Sequence, residues 1–165
     1  MSGKTKVRFI EPKSREGRPF NPWLEKWPTL GPITLATILH NKGYDARVYN
    51  ENVSGSLLKS QEDYEDVLDA DVVGLTIMTA TAVRGYNLAD KIRRDSPDTT
   101  IAFGGVHATF CPEEALEHGD LVVRGEGEKV IEQIAEGKLS EGIHDAEPLQ
   151  DLDQRSEEHT SELQS

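Results

Sequence analysis

The eight residues from Asp71 to Met78, DVVGLTIM, constrain the fold of this chain more than any other stretch. They are apolar on almost every position, and the run is too short for a buried helix of ordinary length. A strand with one wet face would alternate; a strand that does not alternate is covered on both faces. Such strands belong to parallel sheets, where each neighbour is reached by a crossover of a dozen residues or more, usually helical. The rest of the sequence must therefore supply further strands separated by helices.

It does so. Lys6–Glu11 (KVRFIE) alternates, with Val7 and Phe9 on one face, and reads as a first strand. Residues 12–29 are rich in Pro, Gly and charge and form a loop of the length that usually serves a function. Leu30–Lys42 is a helix closed by Gly43 in the left-handed cap position, with Tyr44 folding back behind it. Asp45–Asn50 is a second strand and Glu62–Leu68 a short acidic helix. After DVVGLTIM, the spacing of Ala82, Tyr86, Ala89 and Ile92 predicts a helix ended by Pro97. Thr100–Phe103 runs into Gly104-Gly105 as a fourth strand. Pro112, Glu113 and Glu114 open another helix that Gly119 terminates. Leu121–Val123 is a fifth strand, and a last helix burying Val130, Ile131 and Ile134 ends at Gly137. Five strand–helix alternations make a doubly wound, five-stranded parallel sheet, an α/β fold of the flavodoxin-like or Rossmann-like kind, in one domain over residues 1–137.

Composition narrows the function. A net charge of −12 argues against nucleic acid, whose phosphates need clustered Lys and Arg. No run approaches the roughly 20 apolar residues of a membrane span, and the N-terminus has no apolar signal region, so a cytoplasmic location is expected. The single cysteine, Cys111, excludes an internal disulfide and a multi-thiolate metal site. Residues 138–154 read as the start of a linker. Residues 155–165, RSEEHTSELQS, have no apolar periodicity and resemble an in-frame translation of a sequencing adapter.

In doubly wound sheets ligands bind beyond the carboxyl ends of the strands. The segments that fall there are Pro12 onward, Thr76–Thr81, Gly104–Thr109 and Arg124–Glu128. They share small side chains, hydroxyls and glycines, which let backbone approach a ligand closely. Taken singly, each has an ordinary role: Gly104-Gly105 as a turn, Thr76 bonded to the sheet, Gly125-Glu126-Gly127 as a helix entry, His107 as a structural histidine. Their convergence on one sheet edge favours a binding surface. No nucleophile–base pair and no metal-ligand cluster stands out, so no catalytic and no metal-ligating residue is assigned.

At these residues the chain resembles the N-terminal cobalamin-binding domain of cobalamin-dependent radical S-adenosylmethionine proteins. The matching pieces are Leu30-Gly31 and Gly43-Tyr44 at the two ends of the first helix, DVVGLTIMTAT (71–81), GGVHATFCPEEAL (104–116) and DLVVRGEGE (120–128). LQDLD (149–153) resembles the start of that family's linker to its radical domain. The resemblance implies that the nucleotide tail of cobalamin inserts between strands and helices while the corrin ring lies over the sheet edge. Thr76, Met78 and Thr79 would line the tail slot; Gly104, Gly105 and His107 would meet the tail or the corrin amides; Gly125, Glu126 and Gly127 would border the nucleotide.

Two departures matter. The Asp-x-His-x-x-Gly motif, whose histidine ligates cobalt in the wider group, is absent, and residues 11–27 contain no histidine. The resemblance therefore implies base-off cobalamin with no protein imidazole on cobalt. The Cys-x-x-x-Cys-x-x-Cys motif is also missing, so a [4Fe–4S] cluster and S-adenosylmethionine would belong to a parent enzyme through a C-terminal radical domain, and this stretch alone is not catalytic. Two rival classes remain: a flavodoxin-like FMN or nucleotide module, for which KSREGRPFNP (13–22) is a poor phosphate loop, and a non-catalytic signalling or interaction domain of receiver type, which lacks an aspartate at Ile77-Met78-Thr79.

Overall fold

The computed structural model describes residues 4–14 and 29–146. Most of the 12–29 loop, the LQDLD segment and the 155–165 tail lie outside the described residues.

The strands are β1 (Lys6–Glu11), β2 (Asp45–Asn50), β3 (Val72–Thr76), β4 (Thr100–Gly104), β5 (Leu121–Arg124) and β6 (Gly142–Asp145). They form one parallel sheet in the order β2-β1-β3-β4-β5-β6. The sheet thus has six strands where the sequence pattern gives five. The extra strand, GIHD, carries one large apolar residue and alternates between half-buried and exposed positions, as an edge strand does, so it lacks the apolar signal that marks the other five. It extends the sheet to Asp145, inside the stretch read as linker.

Helices cover both faces: α1 (Leu30–Asn41), α2 (Glu51–Ser54), α3 (Gln61–Leu68), α4 (Ala82–Asp95), α5 (Val106–Phe110), α6 (Pro112–Leu116) and α7 (Ile131–Ala135). One core, under α3 to α6, gathers Ile10, Val73, Leu75, Ile77, Leu88, Ile92, Ile101 and Phe103. The other, under α1 and α7, gathers Val7, Phe9, Ala36, Leu39, Val72, Leu121 and Val123. At the end of α1, Gly43 has φ +90° and the Tyr44 amide donates to the Leu39 carbonyl at 3.0 Å, the cap expected there. Among the described residues no helix is long and apolar enough to cross a membrane.

A buried cation ties β1 to its neighbours. Arg8 is fully buried; its guanidinium donates to Asp45 and to both carboxylate oxygens of Asp66 on α3. The bond from Arg8 holds the Asp45 carboxyl below the usual range. Burial alone would raise Asp66, but Arg8 and the Tyr49 hydroxyl more than offset it.

Candidate ligand site

Side chains alternate across a strand, and that period sorts the residues of β3, β4 and β5 by size. Toward α3–α6 the strands present Val73, Leu75, Ile77, Ile101, Phe103 and Val122. Toward α1 and α7 the same strands carry Val72, Gly74 and Thr76, then Ala102 and Gly104, so this face tapers to almost nothing at the strand tips. Thr76 pairs directly with Gly104, and Gly74 with Ala102. Above them, the first turn of α1 contributes Gly31 and Pro32 instead of long side chains.

The result is a cavity of about 260 Å³ between the sheet and the α1/α7 layer, open at the carboxyl ends of the strands. It lies across β1, β3, β4 and β5. β1 and β3 are where the order of connections reverses, the place at which doubly wound sheets bind ligands. Its walls are Phe9, Leu35, Val123 and Ile131, and its mouth is Gly125, Glu126, Gly127 and Glu128. Among the described residues, no Lys or Arg lines it.

Six of the residues expected at the site line this cavity: Thr76, Gly104, Gly105, Gly125, Glu126 and Gly127. Met78, Thr79 and His107 do not. Met78 is exposed just beyond β3, its amide accepted by the Thr81 hydroxyl at 3.0 Å. His107 sits on the Tyr86 side of the sheet, its Nδ1 3.3 Å from the Thr79 hydroxyl. Gly31, Pro32, Leu35 and Gly74 line it as well; the strand period marks Gly74, and the small first turn of α1 marks Gly31 and Pro32, with Leu35 one turn further on.

The glycines have different tasks. A Cβ on Gly104 would meet nothing nearer than the Val123 carbonyl oxygen at 4.0 Å, and one on Gly31 would meet nothing within 4 Å. Both therefore keep the slot empty. Gly105 is structural: its φ is +93° and a Cβ would lie 2.7 Å from the Ile77 carbonyl oxygen. This crowding is how the α5 turn packs back on β3, with the His107 amide donating to that carbonyl at 3.1 Å.

Glu11 closes the loop after β1. It is buried, takes the Thr29 amide at the start of α1 and accepts from Asn50 Nδ2 at 2.6 Å. Burial raises its carboxyl above the ordinary range against the opposing bonds from Thr29. On the far side of β2, Glu51 receives Arg84 and the Leu57 amide, and these outweigh the effect of burial and lower its pKa.

The geometry defines a class: a doubly wound α/β domain with a largely apolar slot at its switch point. The chain belongs to the B12 binding domain family, whose model matches residues 24–135. Over 77 residues it is 38% identical to the bacteriochlorophyllide d C-8(2)-methyltransferase of Chlorobaculum tepidum, which covers 44% of this chain and 17% of that protein. Over 135 residues it is 28% identical to the bacteriochlorophyllide d C-12(1)-methyltransferase of the same organism, covering 82% of this chain and 27% of that protein. The chain therefore spans no more than about a quarter of the curated relatives it matches.

Proposed function

We propose that this domain holds cobalamin base-off, its nucleotide tail in the slot between β3–β5 and α1, as the cofactor module of a larger radical S-adenosylmethionine methyltransferase-type enzyme. The observation that carries the reading is the floor of the slot, where Gly74 and Gly104 carry no side chain and Thr76 only a small one. Thr76 and Gly104 stand side by side under Gly31, and side chains of ordinary size there would close the space.

The residues fit the group. Phe9, Leu35 and Val123 offer apolar walls to a flat benzimidazole, Thr76 offers a hydroxyl, and the Gly125–Gly127 backbone offers polar edges without bulk. An FMN phosphate is disfavoured, because the mouth carries Glu126 and Glu128 and, among the described residues, no Lys or Arg lines the cavity. Met78 and Thr79, exposed at the β3 tip, are assigned to the corrin rim. Base-off binding is supported by the histidine-free stretch 11–27 and by His107, whose two ring nitrogens face Thr79 and Glu114. Bound here, cobalamin would supply methyl-carrying or electron-carrying cobalt; the chain's own residues would bind the tail and exclude water from it, and residues 11–27 would offer the cobalt no imidazole. The similarity to two methyltransferases favours methyl transfer in the parent.

The test is uptake of hydroxocobalamin by the purified chain, followed by reduction and electron paramagnetic resonance. One-to-one uptake without nitrogen splitting from a lower ligand supports the reading. Failure to retain the corrinoid, or a split signal, refutes the corresponding half of it.

A further inference from the structure

On the opposite face of the sheet, under the turn that leaves β4, three different metal-binding side chains converge. His107 on α5, Cys111 between α5 and α6, and Glu114 on α6 place their ligand atoms within 4.8 Å of one another. The spacing, four and then three residues, puts them on one side of two consecutive helical turns. We propose that His107, Cys111 and Glu114 form a binding site for a zinc-class divalent cation, separate from the corrinoid slot.

Two observations point to a ligand. First, His107 Nε2 is buried without a hydrogen-bond partner, and its nearest anion, Glu114 Oε1, is 3.6 Å away. That is too long for a hydrogen bond. Two ligands bound at about 2.0–2.1 Å to one tetrahedral zinc stand about 3.4 Å apart, close to the separation found. Second, the hydroxyl of Tyr86, a residue only 6% exposed, is also buried without a partner. Glu114 and Cys111 are its electrostatic neighbours, and its ring lies 6.2 Å from that of His107. Its hydroxyl is directed at Glu114, so a cation that holds that carboxylate in place also orders the acceptor of the Tyr86 hydroxyl.

The other ring nitrogen is already engaged. With Nδ1 donating to the Thr79 hydroxyl at 3.3 Å, His107 keeps its Nε2 lone pair for a metal. Imidazole, thiolate and carboxylate together suit a borderline ion rather than magnesium or calcium. Glu114 is 54% exposed, so an ion has a way in and the carboxylate has room to close on it. The site would staple α5 to α6 and stiffen the turn that carries Gly104 and Gly105.

The experiment uses cobalamin-free, chelator-stripped protein titrated with Co²⁺ as the chromophoric probe and then with Zn²⁺ in competition. The expected result is one site per chain, a thiolate-to-cobalt absorption band that Cys111→Ser abolishes, and a thermal midpoint raised by zinc. Affinity should fall at least tenfold in His107→Ala and in Glu114→Gln. A folded wild type without the thiolate band overturns the proposal. If His107→Ala loses its far-ultraviolet dichroism, the exposed Glu114→Gln decides, and unchanged affinity there overturns it equally.

Discussion

Replacing Gly104 by Val separates the slot from the fold. The new Cβ meets nothing closer than 4.0 Å, and Gly104 lacks the positive φ that its neighbour Gly105 has. At a β-strand end, removing a glycine stabilises by about 0.5–1 kcal/mol, because the unfolded chain loses freedom. Unfolding in urea should therefore show stability equal to or slightly above wild type. The added methyl groups enter a cavity of about 260 Å³ from its floor, beside Thr76. Forcing extra carbons into an occupied, packed site costs about 1–3 kcal/mol, which is about 5- to 150-fold in affinity. Hydroxocobalamin titration, followed by absorbance, should show that loss with the fold intact. Gly105→Ala behaves differently: its Cβ sits 2.7 Å from the Ile77 carbonyl oxygen, so stability falls first. Wild-type affinity in a folded Gly104→Val protein would refute the placement of the ligand.

Other perturbations test the scaffold. Arg8→Met leaves Asp45 to Arg47 alone and Asp66 to Arg47 and the Tyr49 hydroxyl; with both carboxylates partly exposed and partly paired, the cost in urea unfolding should be no more than about 3 kcal/mol, the low end for a broken buried pair. Gly85→Ala, ordinarily stabilising in a helix, should instead destabilise by about 1–3 kcal/mol, since the Cβ would lie 2.5 Å from buried Ile77 Cγ2; a raised melting temperature would contradict this. Asp45, Asp66 and Glu51 have lowered pKa values in the fold, so their contribution is present above their unfolded values near pH 4 and is lost as pH falls through the folded ones. Glu11 has the opposite sign: raised by burial, it costs stability above its folded pKa and regains it as pH falls through that value toward about 4.5, so Glu11→Gln should flatten the stability profile just above pH 4.5.

Much of this architecture is legible in the sequence, for identifiable reasons. β1 and β2 match their expected bounds because alternation and glycine caps define them, and α4 begins at Ala82 and stops before Pro97. The slot was legible as small residues near strand tips. Which of them share it depended on parity: Thr76 and Gly104 face α1, whereas Ile77 and Phe103 face the other core. His107 is legible as part of the glycine-rich string, but its place beside Cys111 and Glu114 follows only from the α5 and α6 turns, because five-residue helices leave too little periodicity to read. β6 escaped for want of apolar residues.

In the proposed mode of binding the slot accepts the nucleotide tail, not the corrin alone. The affinities of cobalamin and of cobinamide, which lacks that tail, decide between the two. Burial of the tail in the slot predicts cobalamin binding at least about tenfold tighter, a difference of about 1.4 kcal/mol, and a narrower gap in Gly104→Val. Equal affinity for the two corrinoids in the wild-type chain would contradict it.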